Sequence, residues 1–159
     1  SPIFVFREWH RHRTQSYNEM SARYIPLPNE NYVPSLERLL TPGSTTNKQA
    51  QSIGAQLTAF DAKQWLEELF ATYDKAQQTY ELGLEMGVPK ELARLCVPVA
   101  RYSQMRASAN LRNWLAFLTL RMATAAQWEI RDYAKAVGEL IKESFPRTWK
   151  LFAHDSEKA

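Results

Sequence analysis

The chain has 159 residues, 45% of them hydrophobic and 12% aromatic, so it is long and apolar enough to bury a core and is not a disordered segment. Its formal charge is only +3 at pH 7, and acidic and basic residues are interspersed along most of its length, which argues against a general nucleic-acid-binding surface. The single cysteine, Cys96, excludes an intramolecular disulfide and any multi-cysteine zinc site.

The same features bear on the cellular compartment. One cysteine fits a reducing environment, and no apolar run approaches the length of a membrane span, so we expect a cytoplasmic protein. Cys96 itself lies among apolar residues, which favours a buried core thiol over a nucleophile.

The N-terminal part of the chain is predicted to hold one helix followed by extended structure. Residues 2–13 fit a helix that Pro2 would begin, although the four apolar residues after Pro2 also fit a strand; we favour the helix. Three prolines exclude a helix from residue 24 to residue 34. Residues 41–47 are polar and contain proline and glycine, which predicts an exposed loop.

Helical periodicity dominates the remainder. Apolar residues recur every three or four positions from Ala62 to Leu84, which predicts a long helix ending at Gly87. A short helix is predicted to begin at Val88-Pro89, and the next segment, residues 98–108, to be extended. The apolar spacing then predicts two further helices, at residues 111–122 and 130–145.

The densest cluster of polar groups lies between Arg11 and Tyr24. These fourteen positions contain three arginines, a histidine, a carboxylate and several hydroxyls. Because the guanidinium fork matches phosphate bidentately and stays charged, this composition predicts a segment that binds phosphate and a polar ring, as in a nucleotide or a flavin. The alternative is a solvated, charged face of the fold.

Further candidate residues each have a structural explanation beside the functional one. Arg94, near the end of a short helix, would be favoured by the helix dipole alone, and Asn110 is a good helix N-cap. Arg121 lies between apolar neighbours and needs an anion or an acceptor, for which Glu129 is a structural candidate. The sequence contains no convincing hydrolase triad, phosphate-binding glycine loop or metal-ligand spacing.

Several motifs together resemble one family. Arg11-His12-Arg13, followed after seven residues by Ser21, is similar to the signature of the flavin-dependent thymidylate synthases, and residues 18–24 resemble the family's continuation of it. Later segments resemble further motifs of this family in the same order, at residues 87–94, 110–112, 117–121 and 126–130.

This resemblance implies a reaction. The family reductively methylates dUMP to dTMP, taking a one-carbon unit from methylenetetrahydrofolate and reducing equivalents from FAD, which NADPH recharges. No enzyme cysteine attacks the uracil ring in this family, in keeping with an inert Cys96. The resemblance also implies a homotetramer whose sites are shared between subunits, with no membrane or nucleic acid as a partner.

Roles of individual residues are implied in the same way. Arg121 would contact the uracil ring and is the expected catalytic residue. The other implied dUMP contacts are Arg11, Glu19, Met20, Ser21, Ala22, Arg23 and Arg94. The implied FAD contacts are Arg11, His12, Arg13, Glu19, Asn110 and Arg112.

Three positions depart from the family pattern. Glu8 stands where glutamine is frequent near the nucleotide phosphate, and a second negative charge there would repel the phosphate unless it is neutralised. Ala116 and Ala125 stand where many members carry asparagine or histidine near the flavin, so the affinity or orientation of the flavin is expected to differ.

The resemblance finally implies an α+β fold. In this chain it would be predominantly helical, with helices packed on a small, mostly antiparallel sheet that lacks its N-terminal strands and exposes edges. Residues 1–159 would form a single domain, the C-terminal two thirds to three quarters of a family member. Two alternatives stay open: a non-catalytic fragment that contributes to an oligomer, and a basic helical module that binds nucleic acid.

Overall fold

The fold is mostly helical with one small sheet, as seen in a computed structural model that describes residues 1–41 and 57–156. Apart from its first residue, the loop predicted at 41–47 lies outside these residues. Two short strands form the antiparallel sheet, β1 (Ser16–Glu19) and β2 (Met105–Ser108). The helices are α1 (Ile3–Trp9), α2 (Leu36–Leu40), α3 (Ala59–Glu85), α4 (Lys90–Ala93), α5 (Leu111–Arg121), α6 (Trp128–Ser144) and α7 (Pro146–Ser156).

The chain divides into two compact units. The first unit consists of Ser1–Arg7 and Asn18–Arg106, and the second unit consists of Glu8–Tyr17 and Ala107–Ala159. The predicted α+β class is confirmed, whereas the assignment of residues 1–159 to a single domain stays a prediction.

In the first unit, α3 packs through the stripe that the sequence predicts. Ala62, Tyr73 and Tyr80 are its buried positions, and the intervening members of the stripe are half-buried. The Tyr73 hydroxyl donates to the backbone carbonyl of Tyr32 at 2.9 Å, which ties the extended segment between α1 and α2 to the helix. That segment contains no helix at residues 24–34, as its prolines require.

A buried arginine that sequence reasoning did not single out holds the same segment. Arg101 is fully buried, and its guanidinium donates to the Pro28 carbonyl at 2.7 Å and to the Gln77 side-chain oxygen at 2.8 Å. Burial lowers the pKa of Arg101 because a charged group loses its hydration there. These neutral acceptors bind the two terminal nitrogens of the cation and connect the proline-containing segment to α3, whereas the buried Nε has no partner among the described residues.

Cys96 lies in the short 3₁₀ turn, Arg94–Cys96, that follows α4. The thiol is half-buried and lies 3.3 Å from the Ala93 carbonyl and 3.5 Å from the Ala76 carbonyl. The expectation of a fully buried core thiol is therefore corrected to a half-buried one whose contacts are with backbone carbonyls of α3 and α4.

In the second unit, α5, α6 and α7 pack around a core that includes Phe117, Ile130 and Ala134. Trp9 stacks on Phe117, with ring centroids 4.8 Å apart. Helix α6 ends before Pro146, as predicted, but Pro146 then begins α7, which the sequence reasoning missed.

No helix among the described residues combines the length and the apolar character that a bilayer crossing requires.

The end of α3 provides a test of the backbone geometry. Gly87 has a φ of +80°, so Gly87→Ala should lower the free energy of unfolding by about 1 kcal/mol through backbone strain. Gly83→Ala is the matched control, because a Cβ there would lie 3.5 Å from the Ala93 Cβ and would favour the helix. Equal effects of the two substitutions in chemical denaturation would contradict the assigned helix end.

Candidate active site

A tight turn after α1 carries the arginine motif. The His12 amide donates to the Trp9 carbonyl at 2.9 Å, and the Trp9 indole N–H donates to the Gln15 side-chain oxygen at 3.1 Å. The Tyr17 hydroxyl lies 2.7 Å from the Trp9 carbonyl and 2.8 Å from the His12 carbonyl. Burial raises the pKa of Tyr17, so the hydroxyl keeps its proton and donates to these carbonyls.

The start of α5 lies against this turn. Asn110 is the N-cap of α5, and its side chain accepts a hydrogen bond from the Asn113 amide at 2.9 Å. The side-chain amide of Asn113 in turn donates to the Thr14 carbonyl at 3.0 Å. The structural explanation for Asn110 is therefore confirmed, and its cap brings the first turn of α5 to the segment that contains Arg13.

Arg121, the last residue of α5, is held at all three guanidinium nitrogens. Nε donates to Nε2 of His12 at 2.8 Å, and Nη1 donates to Oε2 of Glu8 at 2.9 Å. Nη2 donates to the backbone carbonyl of Glu8 at 3.1 Å. The side chain is only 16% exposed, so the cation is partly desolvated. The three hydrogen bonds fix its orientation.

His12 is the neutral member of this group. Its Nε2 accepts from Arg121, so the ring proton lies on Nδ1, and the imidazole packs edge-on against Phe117 with ring centroids 4.8 Å apart. Burial is the largest cause that lowers the pKa of His12; the Arg121 charge lowers it further and the Glu8 charge opposes both. His12 therefore acts as a hydrogen-bond acceptor near neutral pH.

Three other arginines of the second unit are exposed cations. Arg11 and Arg13 lie on the turn, and Arg112 lies in the first turn of α5. Within residues 1–41 and 57–156, none of the three forms an ion pair with a carboxylate. Their charges and the positive end of the α5 dipole favour an anionic ligand here.

The first unit holds the remaining predicted residues. Glu19, at the end of β1, is exposed. The backbone turns at Ser21, whose carbonyl accepts from the Tyr24 amide at 3.1 Å, and Nε of Arg23 donates to the Ser21 hydroxyl at 3.3 Å. Ala22 is buried at this turn.

Helix α4 lies next to the same turn. Nζ of Lys90 donates to the Tyr24 carbonyl at 3.5 Å. Arg94 begins the 3₁₀ turn after α4, is exposed, and donates from Nε to the Glu91 carbonyl at 3.4 Å. Lys90 thus links α4, which leads directly into Arg94, to the turn that carries Ser21 and Arg23.

A shallow cleft of about 290 Å³ lies on the face of the two strands in the first unit. Its lining residues are Asn18, Met20, Gln104, Met105 and Arg106. Met20 is the one predicted site residue in this set, so the cleft does not coincide with the predicted anion-binding residues.

Sequence reasoning missed the carboxylate that binds Arg121. It offered Glu129 as the structural partner and treated Glu8 as a doubtful ligand, whereas Glu8 forms the ion pair. Glu8 and His12 are four positions apart and both contact the same guanidinium, but His12 lies in the turn after α1, so helical spacing gave no signal for this pairing. The distant Arg121 could not be placed beside them by local spacing.

The lowered pKa of His12 makes stability depend on pH. Below the ordinary value of 6.5 the unfolded chain binds a proton that the folded chain resists, so the free energy of unfolding should fall as the pH falls toward the lowered folded pKa. His12→Gln keeps an acceptor for Arg121 but does not titrate, and should flatten this dependence. His154→Gln, at an exposed position, is the control, and an unchanged slope in His12→Gln would refute the assignment.

Comparison with known proteins identifies the family of the chain. The family described as "Thymidylate synthase complementing protein" matches residues 1–147. A flavin-dependent thymidylate synthase of Thermus thermophilus is 43% identical over 156 residues, which cover 96% of this chain and 53% of that protein. The corresponding protein of Pseudothermotoga lettingae is 36% identical, with 95% of this chain and 62% of the relative covered. The chain thus spans little more than half the length of these curated relatives.

Solved structures give the same result. The UMP/dUMP methylase PolB from Streptomyces cacaoi, bound with 5-Br UMP, superimposes with a TM-score of 0.82 at 33% identity. The match covers 97% of this chain and 70% of the PolB chain. The chain therefore belongs to the thymidylate synthase complementing protein family, the family of the flavin-dependent thymidylate synthases that its motifs resemble.

Proposed function

We propose that the protein catalyses the FAD-dependent reductive methylation of dUMP to dTMP, with methylenetetrahydrofolate and NADPH as co-substrates. The observation that carries this proposal is the fixed guanidinium of Arg121, held by His12 and Glu8 on the same unit as the exposed arginines. The names of the relatives and the nucleotide bound to PolB support the choice of substrate.

Arg121 is the proposed catalytic residue because it is oriented in advance. Methylation at the uracil ring develops negative charge that the ring carbonyls carry, and hydrogen-bond donors whose positions are already fixed stabilise this charge without reorganising during the reaction. Its partly buried surroundings strengthen the interaction relative to water.

The exposed cations of the second unit fit FAD, which is anionic through its diphosphate. Arg11, Arg13 and Arg112 offer charge-assisted hydrogen bonds, and the start of α5 at Asn110 adds the helix dipole. When bound, the flavin would supply the reducing equivalents of the reaction. His12 would contribute mainly by orienting Arg121, since it is buried against Phe117.

The first unit offers groups that suit the phosphate and sugar of dUMP. Arg23 and Arg94 are exposed cations, Ser21 provides a hydroxyl beside Arg23, and Glu19 provides a carboxylate acceptor for sugar hydroxyls. Met20 would contribute backbone groups, and the buried Ala22 would support the turn that carries Ser21 and Arg23. We further propose a cytoplasmic homotetramer in which several subunits assemble each site, so that residues of different chain copies serve one nucleotide.

The absorption spectrum of the purified protein tests the proposal. We expect a flavin band, present on isolation or after incubation with FAD, whose shape changes when dUMP is added. Arg121→Ala should keep the flavin band but lower dTMP formation by about a hundredfold or more, because a preorganised charge is lost. Arg147→Ala, an exposed arginine on α7, is the matched control with normal turnover expected.

The outcomes separate the functional classes. A protein that binds no flavin refutes the cofactor assignment, and near-normal turnover in Arg121→Ala refutes the role of that residue. Binding of RNA or DNA that weakens steeply with salt, without a chromophore, would instead identify a basic nucleic-acid-binding module. Flavin and dUMP binding without turnover would identify a non-catalytic component of an oligomer.

A further inference from the structure

Glu8 contacts Arg121 at two points, one through its side chain and one through its backbone. Its Oε2 accepts from Nη1 at 2.9 Å, and its backbone carbonyl accepts from Nη2 at 3.1 Å. The carboxylate is 36% exposed, so it lies at the accessible edge of the group and not beneath it. A ligand that approaches Arg121 therefore also approaches a negative charge.

The charges of Arg121 and of its two side-chain partners, Glu8 and His12, sum to zero. Arg121 carries one positive charge, Glu8 carries one negative charge, and His12 is neutral because its Nε2 accepts a hydrogen bond. Arg11, Arg13 and Arg112 differ, since no carboxylate pairs with any of them in the described part of the chain. Arg121 is thus neutralised by a carboxylate, whereas Arg11, Arg13 and Arg112 are not.

Arg121 nevertheless retains hydrogen-bond donors. A guanidinium has five N–H groups, and three of them are used by His12 and Glu8, which leaves two. These two can donate to a neutral carbonyl oxygen at little electrostatic cost. A phosphate in the same place would gain the attraction of Arg121 but would meet the repulsion of the Glu8 carboxylate a few ångströms away.

We propose that Glu8 is a specificity-determining residue: it determines whether the ring or the phosphate of the nucleotide binds to Arg121. Its carboxylate admits the neutral carbonyls of the pyrimidine ring and excludes the phosphate, which is left to Arg23 and Arg94, the exposed arginines proposed above for the phosphate of dUMP. This inference rests on the proposed function, because it assumes that a pyrimidine nucleotide is the ligand. It also gives a role to the position at which the sequence departs from the glutamine frequent in the family.

Glu8→Gln removes the charge of the side chain and keeps its size and shape. Glutamine retains a side-chain oxygen that can accept from Nη1, and the backbone contact from Nη2 is unaffected, so Arg121 stays in place. Only the negative charge is removed. Glu139→Gln on α6 is the matched control, because it makes the same change of net charge at an exposed position outside the site.

The experiment measures the binding of dUMP and of the uncharged nucleoside deoxyuridine by the flavin spectrum, with and without inorganic phosphate as competitor. In the unmodified protein and in Glu139→Gln, phosphate should leave deoxyuridine affinity nearly unchanged. In Glu8→Gln, phosphate should compete with deoxyuridine and bind about fivefold more tightly or better, as expected for removal of one partly exposed charge. Adding Arg121→Ala to Glu8→Gln should abolish this gain.

Failure of the inference and failure of the proposed function can be told apart. If the unmodified protein binds dUMP and deoxyuridine but Glu8→Gln is no more sensitive to phosphate than Glu139→Gln, the role of Glu8 is refuted alone. If phosphate sensitivity rises but survives in the double variant, the phosphate binds elsewhere and the inference is likewise refuted. If the unmodified protein binds neither ligand, the proposed function and this inference both fail.

Discussion

The contact of Arg121 with Glu8 and His12 is the interaction on which the candidate site depends. It joins the last residue of α5 to the end of α1 and to the turn that follows it, at positions more than a hundred residues apart in the chain. Asn113 and Thr14 make a second connection at the other end of α5. With both ends of the helix fastened to one turn, the arginines of that turn take fixed positions relative to α5.

The same contact distinguishes Arg121 from the arginines that have no carboxylate partner among the described residues. Neutralisation by Glu8 makes Arg121 a donor of hydrogen bonds to uncharged acceptors, whereas the unpaired arginines are suited to phosphate groups. A nucleotide has both kinds of group, a ring with neutral carbonyls and an anionic phosphate. On the proposed function, the pattern of pairing, more than the number of basic residues, would match a pyrimidine nucleotide and a flavin diphosphate.

Local sequence signals predicted most of the helices and the family, but not the contacts that orient the site. The apolar stripe from Ala62 to Leu84 and the N-cap at Asn110 depend on neighbours within one helix, and both were predicted correctly. The Glu8 ion pair and the buried Arg101 depend on partners far along the chain, which periodicity cannot identify. Helix α7 was missed because Pro146 was interpreted only as the end of α6 and not as the start of the next helix.

The direct interaction between Glu8 and Arg121 is expected to stabilise the candidate site. A double-mutant cycle with Glu8→Gln, Arg121→Met and the combined variant, followed by chemical denaturation at low salt, measures this interaction. We expect a favourable coupling energy of about 0.5–1 kcal/mol, the range for a partly exposed ion pair, that decreases as salt is added. A coupling energy indistinguishable from zero at low salt would contradict it.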